Sequence, residues 1–124
     1  MATVALDPQN FEEVVAKNPL VIVDFWAAWC GPCRMFAPVF EAASAKHADV
    51  TFGKVDTELA AELAGSFGIR SIPTLMVFKE GILVFSQPGA LPAPVLEDLI
   101  RQAKDLDMNA VRADLAKSDD AKAP

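Results

Sequence analysis

The chain of 124 residues has only two cysteines and one histidine. Two thiols, His47 and carboxylates make a poor zinc set, because zinc seeks four nitrogen or sulfur ligands. His47 also falls near the far end of the helix that follows the cysteines, out of reach of its first turn. The cysteines, Cys30 and Cys33, are three apart. A bridge between them closes almost the shortest loop available and contributes little as a structural staple. No apolar run is long enough to span a bilayer. The start, Met1-Ala2-Thr3-Val4-Ala5-Leu6-Asp7, lacks the basic region and apolar core of a secretory leader. The cytoplasm is therefore the expected location. Basic excess is lacking too: the net charge is −6 and the pI about 4.6. That argues against nucleic acid or an anionic membrane as partner. There is no internal repeat, and the length suits one domain.

What the chain does have is concentrated in Trp29-Cys30-Gly31-Pro32-Cys33. Before it, Val21-Ile22-Val23-Asp24-Phe25-Trp26 is apolar at nearly every position, as in a central strand buried on both faces. After it, Met35, Phe36, Val39, Phe40 and Ala43 recur at helical spacing. The cysteines thus lie at a strand-to-helix corner, with Cys33 in the first helical turn. Free N–H groups and the helix dipole there favour a thiolate, the reactive form of cysteine. Gly31-Pro32 is a turn-forming pair that two inert core thiols would not need. In a reducing compartment, a lone close pair is more readily catalytic than structural. Beside a βαβ pattern this spacing reads as a redox motif.

In chain order, Thr3–Leu6 reads as an edge strand. A helix follows, with Asp7 as N-cap and Pro8 at its first position. Phe11, Val14 and Val15 form its apolar face, and Asn18-Pro19 stops it. The central strand spans about 20–26, and the next helix runs to about Ala48 with a kink expected at Pro38. A strand at 50–55 and a short helix at 59–67 complete a parallel βαβαβ core. Thr74–Phe78 and Ile82–Phe85 around Lys79-Glu80-Gly81 form an antiparallel hairpin. Pro92 or Pro94 opens a last helix with Val95, Leu96, Leu99, Ile100 and Ala103 inward. The fold class is α/β, a mixed five-stranded sheet flanked by four helices. It accounts for residues 1–107. Residues 108–124 are an extension, partly helical through Val111 and Leu115, with Ser118–Pro124 expected to be disordered.

Three features complete a site. Asp24 is the one polar residue of the central strand, and burial should raise its pKa. It reads either as a general base for Cys33 or as a structural acid paired with Lys54 on the neighbouring strand. The base is the preferred reading, since an apolar residue serves structure better. Ile72-Pro73-Thr74 demands a bend, because Pro73 cannot sit inside a strand. Gly89 is a loop glycine of positive φ or a binding position, and spacing does not separate the two.

Together these residues resemble the thioredoxin family. Phe25-Trp26-Ala27-Ala28-Trp29-Cys30-Gly31-Pro32-Cys33 is similar to its active-site segment, with Asp24 on its buried acid and Lys54 on the lysine near that acid. Pro38 matches its helix proline, Ile72-Pro73-Thr74 its cis-proline loop, and Gly81 and Gly89 two of its glycines. The likeness covers about residues 3 to 107. It implies a thioredoxin fold, a cis Ile72–Pro73 bond, and catalysis by Cys30 and Cys33 with Asp24 and Lys54. Trp29, Gly31, Pro32, Ile72, Pro73, Gly89 and Ala90 would form a shallow apolar groove for disulfide-containing protein substrates. It further implies a reductant of protein disulfides serving electron transport and redox homeostasis as a monomer, without metal or organic cofactor. An NADPH-dependent thioredoxin reductase would re-reduce it. Two departures stand out: Ala28 replaces an acid common in the family, and the extension is unaccounted for.

Overall fold

A computed structural model describes residues 2–122, with side chains for residues 2–117. Five strands, β1 (Thr3–Ala5), β2 (Leu20–Trp26), β3 (Thr51–Asp56), β4 (Thr74–Lys79) and β5 (Ile82–Pro88), form one sheet. Its order is β1-β3-β2-β4-β5. β1, β3 and β2 run parallel, while β4 and β5 are antiparallel to their neighbours. The chain order βαβαβ and then a hairpin produces this, since parallel neighbours need crossovers and a hairpin does not.

Strand β2 is central and buried on both faces. Val21, Val23 and Phe25 join the cluster beneath α1 (Phe11–Lys17) and α3 (Ala61–Ser66). Leu20 and Ile22 join the one beneath α2 (Gly31–Lys46) and α4 (Ala93–Asp105). Alternation along the strand therefore turns Asp24 and Trp26 to the α2 side. Gly53 of β3 permits a close approach: a Cβ there would come within 2.3 Å of Leu6 Cδ1. Helix α2 continues across Pro38 as far as Lys46.

Some boundaries differ from expectation. Helix α1 begins at Phe11, not at Pro8. The Asp7 carboxylate accepts from the N–H of Gln9 and of Asn10, and Asn10 Oδ1 accepts from Asp7 N–H. Short polar side chains have captured the backbone in a turn that competes with helix. The β4–β5 turn is a two-residue one. Glu80 (φ 52°) and Gly81 (φ 79°) both adopt positive φ, as the tightest hairpin connection requires.

The extension differs most. It forms a fifth helix, α5 (Met108–Lys122), and so runs helical past Ser118, where disorder was expected. The final two positions lie outside the described residues. Asp107 accepts from the N–H of Asn109 and Ala110, capping the start. Met108 is buried, and Arg112 pairs with Glu80 of the hairpin turn at 2.7 Å.

Candidate active site

The site is built where β2 ends and α2 begins. Cys30 is the N-cap of α2, with Gly31 and Pro32 in the first two helical positions. Proline is tolerated there because its missing N–H would have no helical partner. Cys30 and Cys33 are disulfide-bonded, with Cα atoms 5.2 Å apart. The sulfur of Cys30 accepts from Cys33 N–H at 3.2 Å. It takes the position a capping oxygen usually fills, where N–H groups and dipole favour negative charge.

Both cysteines are nearly buried, Cys30 at 4% exposure and Cys33 at 2%. Cys30 is only slightly the more exposed of the two. Trp29 beside them is 66% exposed. Ala27, Trp26 and Ile72 pack around the pair. Ile72 O lies 3.6 Å from Cys30 Sγ, and the Ile72–Pro73 bond is cis. Thr74 closes this loop by donating its hydroxyl to Ser71 O. Gly89, at φ 103°, donates its N–H to Pro73 O at 2.7 Å. The first reading of Gly89 describes it, since the φ favours glycine, and its amide ties the β5 end to the proline loop. Ala90 follows in exposed loop, placed near the site by chain continuity. Trp29 and Ile72 share a groove of about 310 Å³ with Thr57, Ile69, Arg70 and Ser71.

Asp24 is 1% exposed, and among the described residues neither carboxylate oxygen finds a hydrogen-bond partner. Burial pushes its pKa up from 3.8 to about 7, with Lys54 partly opposing the rise. Lys54 is its register partner on β3. The two do not form an ion pair within 4 Å among the described residues. The Lys54 ammonium instead sits 4.9 Å from the centre of the Trp26 ring, a cation–π arrangement. The simple structural pairing of Asp24 with Lys54 thus gives way to a longer-range effect. Lys54 and Trp26 also line a cavity of about 760 Å³ with Glu41, Asp56 and Leu59, away from the cysteines.

The sequence reading missed Thr57, whose N–H and hydroxyl both bind Trp26 O and hold the end of β2 against β3. A threonine just past a strand is a weak signal for that. It also passed over Arg34, which donates to Ala28 O at 2.9 Å. Its place one residue beyond Cys33 was the available signal.

The comparisons with known proteins agree with this geometry. The thioredoxin family model matches residues 2–102. A Streptomyces coelicolor relative with the provisional name thioredoxin 2 is 53% identical over 116 residues, covering 94% of this chain and 87% of its own. An alignment that long necessarily enters α5. Thioredoxin of Alicyclobacillus acidocaldarius is 47% identical over 97 residues, covering 77% of this chain and 92% of its own. Among solved structures, a mutant thioredoxin from Halobacterium salinarum superposes with a TM-score of 0.78 at 32% identity. It covers 85% of this chain and 93% of that one.

Proposed function

The chain belongs to the thioredoxin family, and on that footing we propose the roles of its individual site residues. It is a protein-disulfide reductase that works by dithiol–disulfide exchange through Cys30 and Cys33. The observation that supports Cys30 as attacking sulfur is the Cys33 N–H donated to it at the helix start.

In the reduced protein the Cys30 thiolate attacks one sulfur of a substrate disulfide. The substrate S–S bond breaks, a Cys30–substrate mixed disulfide forms, and the first substrate thiolate leaves and takes up a proton. Asp24, with its pKa near 7, accepts the proton of Cys33 close to neutral pH, where a general base is most useful. The Cys33 thiolate then attacks the Cys30 sulfur and expels the second substrate thiolate. Two electrons have passed to the substrate, and Cys30–Cys33 is left oxidised. Lys54 moderates the Asp24 pKa, and Trp29, Gly31, Pro32, Ile72, Pro73, Gly89 and Ala90 receive the substrate backbone. An NADPH-dependent thioredoxin reductase restores the dithiol. The working unit is a monomer in the cytoplasm, with residues 1–107 as the redox domain and 108–124 as a C-terminal extension.

Replacing Cys30 with Ser should lower turnover of a protein disulfide by more than about 1000-fold, since removing a nucleophile leaves no route to the mixed disulfide. Replacing Cys33 with Ser should instead trap that species, visible by mass spectrometry. Turnover surviving in Cys30→Ser overturns the assignment. An oxidant on the same fold separates by potential. Thioredoxin is itself the reference for a value of about −270 mV, against about −120 mV for DsbA. Equilibration in thiol–disulfide buffers, read by Trp26 and Trp29 fluorescence, distinguishes the two.

A further inference from the structure

The chain carries 28 charged side chains in all, 17 acidic and 11 basic. Apart from Asp24 and Lys54, which lie outside them, the three stretches that supply the cysteines, the Pro73 loop and Gly89, namely Phe25–Phe40, Leu63–Phe78 and Gly81–Leu96, carry two charged residues, Arg34 and Arg70. Both are cations on a protein of net charge −6, and both are exposed. Each is placed beside Trp29 by a separate element. Arg34, in the first turns of α2, donates one guanidinium N–H to Ala28 O, the carbonyl just before Trp29. Arg70, in the loop leading to Pro73, lines the groove it shares with Trp29, Ser71 and Ile72. No acid lines that groove. Asp56 faces the cavity on the Lys54 side, and the next acid in sequence, Glu58, is outside the groove.

Position 28 sharpens the point, because alanine there leaves Arg34 bound to a neutral carbonyl and not to a carboxylate. Among the described residues neither arginine meets a carboxylate within 4 Å. A guanidinium presents five N–H donors in a fork that fits carboxylate. Arg34 uses one on Ala28 O, which fixes the direction of the group and leaves the rest of the fork available.

We propose that this site selects disulfides whose flanking sequence is acidic, with Arg70 in the acid-free groove at Trp29 and Arg34 on the neighbouring Ala28 carbonyl each receiving a carboxylate. The inference rests on the dithiol reading above and adds a substrate class to it. The acidic remainder of the surface repels such a partner in wrong orientations, so the two cations set approach as well as docking.

The test uses the reduced full chain and three synthetic peptide disulfides that share a core and differ in flanks: acidic, uncharged and basic. At about 20 mM ionic strength the acidic peptide should react about fivefold to tenfold faster than the basic one, and less than twofold faster at about 1 M salt, where charges are screened within a few ångströms. Arg34→Glu combined with Arg70→Glu should reverse the order, and Arg34→Lys should retain it. Equal rates at low salt, or a preference that survives salt or the charge reversal, overturn the proposal while leaving the reductase reading intact. Failure to reduce even the uncharged peptide overturns the reductase reading, and this inference with it.

Discussion

The β4–β5 hairpin has two ends that are built on opposite principles. At the turn end, every prominent polar group has a partner. The Lys79 ammonium donates to Ala103 O, Lys104 O and Leu106 O, the last carbonyls around the end of α4. Three donors meet three carbonyls at the helix end, of which Ala103 O also accepts from the N–H of Leu106. Glu80 N–H binds Pro19 O, and its carboxylate meets Arg112. At the other end Gly89 binds Pro73 O and Ile72 packs against the cysteines, while among the described residues Asp24 keeps two buried oxygens unpartnered. The satisfied end holds the sheet, α4 and α5 in register. The unsatisfied end keeps a group that gains and loses its proton near neutral pH, and that is what exchange chemistry needs. Stability and reactivity are segregated along one hairpin.

The sharpest way to break this comparison is to neutralise Asp24. Its folded pKa of about 7 lies above the 3.8 of the unfolded chain. The native state therefore binds the proton more tightly, and Asp24's contribution is fully present below about pH 4. It declines as pH rises and is lost above about pH 7. A rise of that size corresponds to roughly 4 kcal/mol across the window. Asp24→Asn should remove most of that decline, leaving the variant more stable than the parent at pH 8 and much closer to it at pH 4. Resolution by Cys33 should slow at the same time. Urea unfolding at a series of pH values checks the first effect, and accumulation of mixed disulfide the second. A parent protein whose stability does not fall between pH 4 and 8 would falsify the view that Asp24 is held at a cost.

The corresponding change at the satisfied end is Lys79→Met, which keeps the apolar stem and deletes the ammonium. Here the loss should be about 1–3 kcal/mol, the scale of charge-assisted hydrogen bonds whose acceptors partly regain water. Disulfide reduction per folded molecule should be unchanged. If activity fell along with stability, the two ends would be coupled and not segregated.

How much of this was legible in the sequence follows the range of the interactions. The β2 run, the α2 periodicity and the strand-to-helix position of Cys30 are local patterns, and residues 20–46 could be read directly. The start of α1 was misread because Asp7 and Asn10 favour either a cap or a turn, and only the reciprocal bonds between them decide it. Glu80 in a positive-φ position gave no signal beyond the glycine that follows it. The cis bond at Pro73 and the roles of Gly31, Ile72 and Ala90 came from family likeness, since a single proline does not declare its isomer. The meeting of Arg112 with Glu80 spans 32 positions. No periodicity within 108–124 encodes it, so the sequence showed only a partly helical extension with no place to dock.

That contact sets the smallest and most discriminating test. Arg112 and Glu80 are 48% and 46% exposed, and such a pair contributes about 0.2–1 kcal/mol at most once solvent screening is counted. Met108, at 5% exposure, buries an apolar side chain worth roughly 1.5–3 kcal/mol. On these magnitudes Met108 anchors α5 and Arg112 only orients it. Arg112→Ala should therefore lower stability by less than about 1 kcal/mol at low salt, and the difference from the parent should vanish near 1 M salt. Paired urea titrations at the two salt concentrations measure it. A loss above about 2 kcal/mol that persisted in salt would exceed what an exposed pair can supply. The ion pair would then be the anchor, and the turn end of the hairpin would depend on its appended helix as firmly as on Lys79.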